Sequence, residues 1–304
     1  MAQPYRGTWP VAPTPFTDNG ELDTEGMRRV LDCMIDQGID GLCILANYSE
    51  QFLLSDDERE TLMRLSLEQV AGRVPVIVTC SHFATGIVVE RCRRAKELGA
   101  AMIMLMPPYH GAALKGTPAG IREQFARASD VGVPIMVQDA PLSGIDMSIE
   151  FLANLAREIE HVSYLKIETP QTAAKLRGLI ANAGDAILGP FDGEEGITLL
   201  ADLEAGATGT MTSALLPDLV KPVVEAHRNG ERQHAAALYA EILPLINYEN
   251  RQCGLRACKT IMMEGGVIKS DHVRHPTPQL DKGTREGLLH LARKYDLVAL
   301  RWGK

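Results

Sequence analysis

Apolar and polar positions along this chain follow a two-part rhythm. Short apolar runs of strand length alternate with longer stretches whose apolar residues recur three and four positions apart. The strand-like runs cover 8–12, 41–46, 74–79, 101–106, 135–138, 162–167, 186–188 and 209–212. Helical patterns lie between them at 24–37, 56–71, 85–98, 117–130, 148–159, 170–183 and 193–205. Their ends have physical signatures. Ser55 precedes Asp56, Asp57 and Glu58, acids that suit the positive end of a helix. Ser148 opens another stripe through Phe151 and Leu152, and Pro170 fits a first helical turn. Gly38, Gly99, Gly132, Gly184 and Gly206 stand where helices stop.

Apolar strands alternating with helices predict a parallel sheet covered by helices. Eight such units favour a closed (β/α)8 TIM barrel, an α/β fold, over an open doubly wound sheet. No GxGxxG follows the first strand, which weakens a dinucleotide-binding reading. Helical patterns at 217–229, 231–246, 249–264 and 284–295 add an eighth barrel helix and a C-terminal helical extension. The expected division is a barrel over 1–229 and an extension over 230–304.

Composition narrows the classes. With 304 residues, 45% hydrophobic and 23% charged, the chain can bury a large core, and disorder is not expected. The net charge of −8 and the lack of a basic stripe argue against a nucleic-acid partner. A small anionic substrate stays compatible, because a local pocket can be positive in an acidic protein. The six cysteines (33, 43, 80, 92, 253 and 258) show no CxxC spacing, so they read as buried free thiols and no metal is expected. The first residues show no basic-then-apolar leader pattern, and no apolar run approaches the roughly 20 residues of a membrane span. A soluble, cytoplasmic protein without a membrane partner is the expectation.

A barrel of this kind places its chemistry at the C-terminal ends of its strands. The polar residues there are Asn47-Tyr48-Ser49-Glu50, Ser81-His82, Tyr109-His110, Gln138-Asp139, Lys166-Ile167-Glu168, Asp192 and Thr212-Ser213. Lys166 lies inside an apolar strand. Burial disfavours the charged ammonium, and a neutral amine is the nucleophile that attacks a carbonyl. A lysine snorkelling at a strand end, or simply paired with Glu168, is the plain alternative. Strand periodicity puts Lys166 and Glu168 on one face, either as an ion pair or as a nucleophile with a proton shuttle.

The chain resembles the dihydrodipicolinate synthase and N-acetylneuraminate lyase superfamily over about residues 5–300. The motifs are PVAPTPF, ANYSEQFLL, MPPYHG, PIMVQDAP, YLKIE and GATGTMT. The resemblance implies that Lys166 forms an imine with a 2-keto acid, without metal or organic cofactor, in a homotetramer of barrels. It also implies that Asn47, Tyr48 and Ser49, which stand where relatives have GTTGE or GSTGE, bind the substrate carboxylate. Tyr109 matches a tyrosine reaching toward a neighbouring subunit's site; a pure interface role is the alternative.

Two departures are informative. Gln138 occupies the place of the family's acid/base tyrosine, and an amide has no proton that ionises in the working range. That disfavours retro-aldol cleavage while leaving imine formation intact. Glu168 stands two residues after the lysine, where relatives often have an acid directly after it. FDGEE and the C-terminal NYENRQCGLRACK and GGVIKS, with these features, resemble the dehydratases of 2-keto-3-deoxy sugar acids within the superfamily, and that resemblance implies the same reaction. The alternatives are a pyruvate-dependent aldolase, a dehydratase that also decarboxylates, or an inactive barrel that only binds keto acid. His82 is a candidate for the substrate's distal hydroxyls or an ordinary loop histidine. Glu194 and Glu195 read as helix N-terminal charges, and Asp192 as a possible hydroxyl contact.

Overall fold

The computed structural model describes residues 3–111 and 113–304; Met1 and Ala2, at the head of the stretch read for a leader, lie outside the described residues. Eight strands belong to one sheet: Gly7–Thr8, Leu42–Ile44, Val76–Thr79, Met102–Leu105, Ile135–Asp139, Val162–Ile167, Gly189–Asp192 and Gly209–Thr210. The helices are α1 (Thr24–Asp36), α2 (Asp56–Val70), α3 (Thr85–Glu97), α4 (Pro118–Ser129), α5 (Ile149–Glu158), α6 (Thr172–Ala183), α7 (Leu199–Glu204), α8 (Pro217–Arg228), α9 (Arg232–Tyr248), α10 (Arg256–Glu264), α11 (Lys282–Ala292) and α12 (Val298–Arg301). This is the (β/α)8 barrel class with C-terminal helices. Two compact units make up the chain.

The first unit comprises residues up to Arg6, Ile77–Glu194 and Thr198–Met211. Its strands run parallel and in register, Ile77 beside Met102, Ile103 beside Ile135, Val137 beside Leu165 and Leu165 beside Pro190. Ile77, Val78, Ile103, Met104, Met136 and Val137 are fully buried. Burial on both faces explains why these segments read as continuous apolar runs rather than alternating ones.

Three local expectations are corrected here. The seventh strand is Gly189–Asp192, not 186–188, because residues 184–186 form a 3-10 turn and Leu188 is 45% exposed. The strand begins where the backbone must approach closely: a Cβ at Gly189 would sit 2.6 Å from the Tyr164 ring. Gly-Pro-Phe-Asp has almost no apolar periodicity, so the pattern favoured the residues before it. Pro170 precedes its helix rather than opening it, since Gln171 adopts φ +63° and α6 starts at Thr172. The helix expected at 193–205 is only α7, so Glu194 and Glu195 lie in a turn ahead of it and do not charge its N-terminus.

The second unit comprises Gly7–Val76, Glu195–Ile197 and Thr212–Lys304. α2 starts as predicted, with Ser55 Oγ accepting from Glu58 N–H and Glu58 reaching back to Ser55 N–H. The helix expected over 249–264 is interrupted by a π-turn at Glu249–Cys253 that ends at Gly254, φ +60°. A polar network lies deep in this unit. Lys259 of α10, with no exposed surface, ion-pairs with Glu50 and donates to His272 O at 2.8 Å. Glu50 also accepts from Arg274 N–H at 3.0 Å, and Arg274 grips Glu58 with two guanidinium nitrogens. That contact holds the Glu58 carboxyl below its usual range. Phe16 lies against both cations, 4.4 Å from Lys259 Nζ and 4.2 Å from the Arg274 guanidinium carbon.

Breaking a buried pair leaves a lone charge in an apolar setting. Lys259→Met should therefore destabilise the protein by about 3–5 kcal/mol in urea unfolding, far more than loss of a surface ion pair.

Candidate active site

The sixth strand positions the site. Gln138, Lys166 and Phe191 are register partners on three adjacent parallel strands, so their side chains share one face of the sheet. Asp139, Ile167 and Asp192 are the next set of partners and share the opposite face. Glu168 lies one residue past the strand. Its N–H donates to Asp139 O at 2.9 Å, extending the sheet pattern and returning the Glu168 side chain to the Lys166 face.

On that face Lys166, 3% exposed, ion-pairs directly with Glu168. Gln138, 1% exposed, donates from Nε2 to Glu168 Oε1 at 2.7 Å. A carboxylate only accepts, so this bond sets the amide's orientation. Gln138 Oε1 is then left buried with no partner among the described residues. A buried acceptor without a donor is costly and suits a hydroxyl arriving with a substrate. The three residues thus form a compact unit: an amine, a carboxylate to receive its proton, and an acceptor beside them.

Gly193 forms the wall. A Cβ there would lie 2.7 Å from Glu168 Cγ, 2.8 Å from Lys166 Cγ and 2.9 Å from Ile167 O. Its N–H donates to Ile167 O at 3.0 Å. The FDGEE motif contains this glycine, but periodicity alone gave it no role; a glycine directly after a strand was the available signal.

The opposite face holds other carboxyls. Asp139 ion-pairs with Lys175 of α6 at 2.6 Å. Burial pushes the Asp139 carboxyl above its usual range, against the pull of Lys175. Asp192 bonds Thr210 Oγ1 and lies beside Asp202 of α7. It has no exposed surface.

The remaining candidates are placed as follows. His82 follows the third strand, and its Nδ1 accepts from Ala84 N–H at 3.0 Å, which assigns the ring proton to Nε2. Tyr109 pairs with Lys115 in a two-residue antiparallel ladder and is half-buried, with desolvation pushing its phenol up. In the second unit Asn47, Tyr48 and Ser49 form one 3-10 turn, followed by Glu50 at φ +57°. Ser49 Oγ donates to Ala12 O at 2.6 Å and accepts from Ala46 N–H at 3.1 Å. Its hydroxyl is therefore committed to the loop. Asn47 Oδ1 accepts from Gln51 Nε2 at 2.7 Å.

Among the described residues no group of three or more His, Cys, Asp or Glu converges as a metal site, and no helix is long and apolar enough to cross a membrane. A cavity of about 640 Å³ opens between the loops after the fifth and sixth strands, with Asp146, Ser148, Thr169, Gln171 and Lys175 on its walls. Lys166 is not among its lining residues.

The Dihydrodipicolinate synthetase family profile matches residues 4–294. The chain belongs to the dihydrodipicolinate synthetase family. Within it, the L-2-keto-3-deoxyarabonate dehydratase of Azospirillum brasilense is 58% identical over 98% of this chain and 97% of its own length. The 4-hydroxy-tetrahydrodipicolinate synthase of Xanthomonas axonopodis pv. citri is 31% identical over 84% of this chain and 83% of its own. Among solved structures, dihydrodipicolinate synthase from Rhodopseudomonas palustris superposes with a TM-score of 0.87 at 28% identity, covering 97% of this chain and 99% of that one. Membership of this family and the dehydratase relative identify the chain as an enzyme, a lyase.

The tightness around Gly193 gives a direct check. Gly193→Ala should cost about 1–3 kcal/mol in urea unfolding, because the new methyl meets backbone and two packed side chains.

Proposed function

We propose that the protein is a Schiff-base dehydratase that converts L-2-keto-3-deoxyarabonate to 2,5-dioxopentanoate and water, a step of non-phosphorylated L-arabinose breakdown. One observation supports this most: the buried Lys166–Glu168 pair is completed by the Gln138 amide where an aldolase of the family would place a phenol. The similarity to a dehydratase along nearly the whole chain supports the substrate.

The chemistry follows from the arrangement. As the keto acid enters, Glu168 takes a proton from the Lys166 ammonium, and the freed amine attacks C2. Glu168 passes its proton to the carbinolamine hydroxyl, which leaves as water, and the resulting imine acidifies the C3 hydrogens. Glu168 removes a C3 proton to give an enamine, then returns a proton to the departing C4 hydroxyl, which leaves as water. The resulting C3=C4 double bond is conjugated with the imine. Loss of a C5 proton and protonation at C3 give a C4=C5 enol, and the hydroxyl proton is then lost as C4 gains one, which turns C5 into an aldehyde. Hydrolysis of the imine releases 2,5-dioxopentanoate and restores Lys166. Overall, one water is lost and nothing is oxidised or reduced by an outside agent, so no metal or organic cofactor is required.

Gln138 has two tasks in this scheme. Its N–H holds Glu168 beside the lysine, and its Oε1 accepts a hydrogen bond from a substrate hydroxyl. Lacking an ionisable proton, it does not deprotonate the C4 hydroxyl, which is the step that carbon–carbon cleavage would need. A cytoplasmic homotetramer completes the reading. Six free, buried cysteines support a reducing compartment, and the family resemblance supports the assembly.

Borohydride reduction during turnover should add the substrate's mass to the Lys166 peptide, and Lys166→Ala should abolish both adduct and turnover. Full turnover by Lys166→Ala would sink the mechanism. Glu168→Gln should lower kcat by at least about a hundredfold and imine trapping far less, since water can take the lysine proton whereas removal of the C3 proton and protonation of the departing hydroxyl are lost. Dioxopentanoate without pyruvate is the expected product, and release of pyruvate would favour the aldolase reading instead. Activity should survive EDTA.

A further inference from the structure

Gly193 bears on the reactive pair, and the residue before it is tied to a second buried acid. Asp192 closes the seventh strand facing the helix side. Its Oδ2 accepts from Thr210 Oγ1 at 2.5 Å and its Oδ1 from Glu194 N–H at 3.2 Å. Asp202 of α7 lies within hydrogen-bonding reach of Asp192. Asp202 Oδ2 accepts from Thr198 Oγ1 at 2.6 Å, whereas its Oδ1 has no donor among the described residues. Both residues have no exposed surface. Two ionised carboxylates in contact at such burial repel strongly, and a proton between them supplies the missing donor.

We propose that Asp192 and Asp202 share one proton and act as a positioning pair, clamping the Asp192-Gly193 backbone so that Gly193 holds Lys166 and Glu168 in register. Neither carboxyl touches the reacting atoms; both act through Gly193. The charged groups that act on the pair are Lys166, from across the strand, which favours ionisation of Asp192, and Glu194, which opposes ionisation of Asp202. Burial first, and the Asp192 charge second, push the Asp202 carboxyl up to about 7. The sign follows from linkage. The stabilisation is fully present below the ordinary carboxyl range and is lost as pH rises through about 7. Above that point the two like charges separate, α7 loosens from the strand end, and Gly193 no longer confines the lysine.

The test has two arms, of which only the kinetic one rests on the dehydratase reading. In infrared pH-difference spectra of the intact protein, a protonated-carboxyl C=O band should vanish as pH rises through about 7. Its Asp202-dependent part should be missing from Asp202→Asn and retained in Glu249→Gln, which removes the other buried carboxyl lifted to about 7. In kinetics, Asp202→Asn keeps a donor toward Asp192 without a removable proton. Its kcat at about pH 6 should stay within about threefold of the parent, and the alkaline fall near pH 7 should flatten. Asp202→Ala, with no donor, should lower kcat at least about tenfold with a smaller change in KM. A spectrum without the Asp202-dependent band overturns the proposal, as does an Asn variant that keeps the parent's alkaline limb. Were the protein to show no dehydratase turnover, the spectral arm would still decide whether the proton is shared.

Discussion

The site depends on one buried ion pair. Removing an ammonium and a carboxylate from water costs several kcal/mol for each ion, and their attraction offsets this only in good geometry with further hydrogen bonds. At Lys166 and Glu168 the geometry comes from the backbone. Both residues project from one side of the same strand end, and the Glu168 N–H bond to Asp139 O keeps the strand regular for one residue more. Gln138 supplies the extra donor, and Gly193 removes the side chain that would otherwise occupy the space. The pair is therefore held by a neighbouring strand on each side. Under the proposed mechanism, an amine so placed has a base in contact when a carbonyl arrives.

The two faces of the sheet divide the ionisable groups by task. The face bearing Lys166 holds the amine, its carboxylate and an amide. The helix-side face holds Asp139 against Lys175 and Asp192 against Asp202, so each buried acid there has its own charge or proton to balance it. Strand periodicity enforces the separation, because successive side chains point to opposite faces. Groups one residue apart in sequence thus have different environments. The second unit solves its burial problem differently. The Lys259–Glu50–Arg274–Glu58 network alternates sign and packs its cations on Phe16, which ties the turn containing Asn47, Tyr48 and Ser49 to the C-terminal helices.

Much of this was legible in the linear pattern. Seven of the eight strand positions were read to within a few residues, because strands buried on both faces are apolar throughout and their helices have capping residues such as Ser55 and Ser148. Lys166 was legible as a charged residue inside an apolar strand, and Glu168 as its partner by the period of two. Where the reading failed, the cause was local. The seventh strand contains a glycine and a proline and is set by the approach of Tyr164, which no periodicity records. Glu194 and Glu195 had the composition of a helix start but lie in a turn.

The amino-acid order by itself determined the alternation of strands and helices, the family resemblance, the amine and the absence of a phenol at position 138. Those are properties of residue type and spacing, which short-range sterics and hydrophobic burial translate directly into structure. Only the tertiary structure decided which way the Gln138 amide faces, that the Ser49 hydroxyl is already committed, that Gly193 is the wall of the site, and that Asp192 and Asp202 meet. Those are contacts between residues brought together by strand register and helix packing, and their energies depend on distances and burial that exist only once the chain has folded.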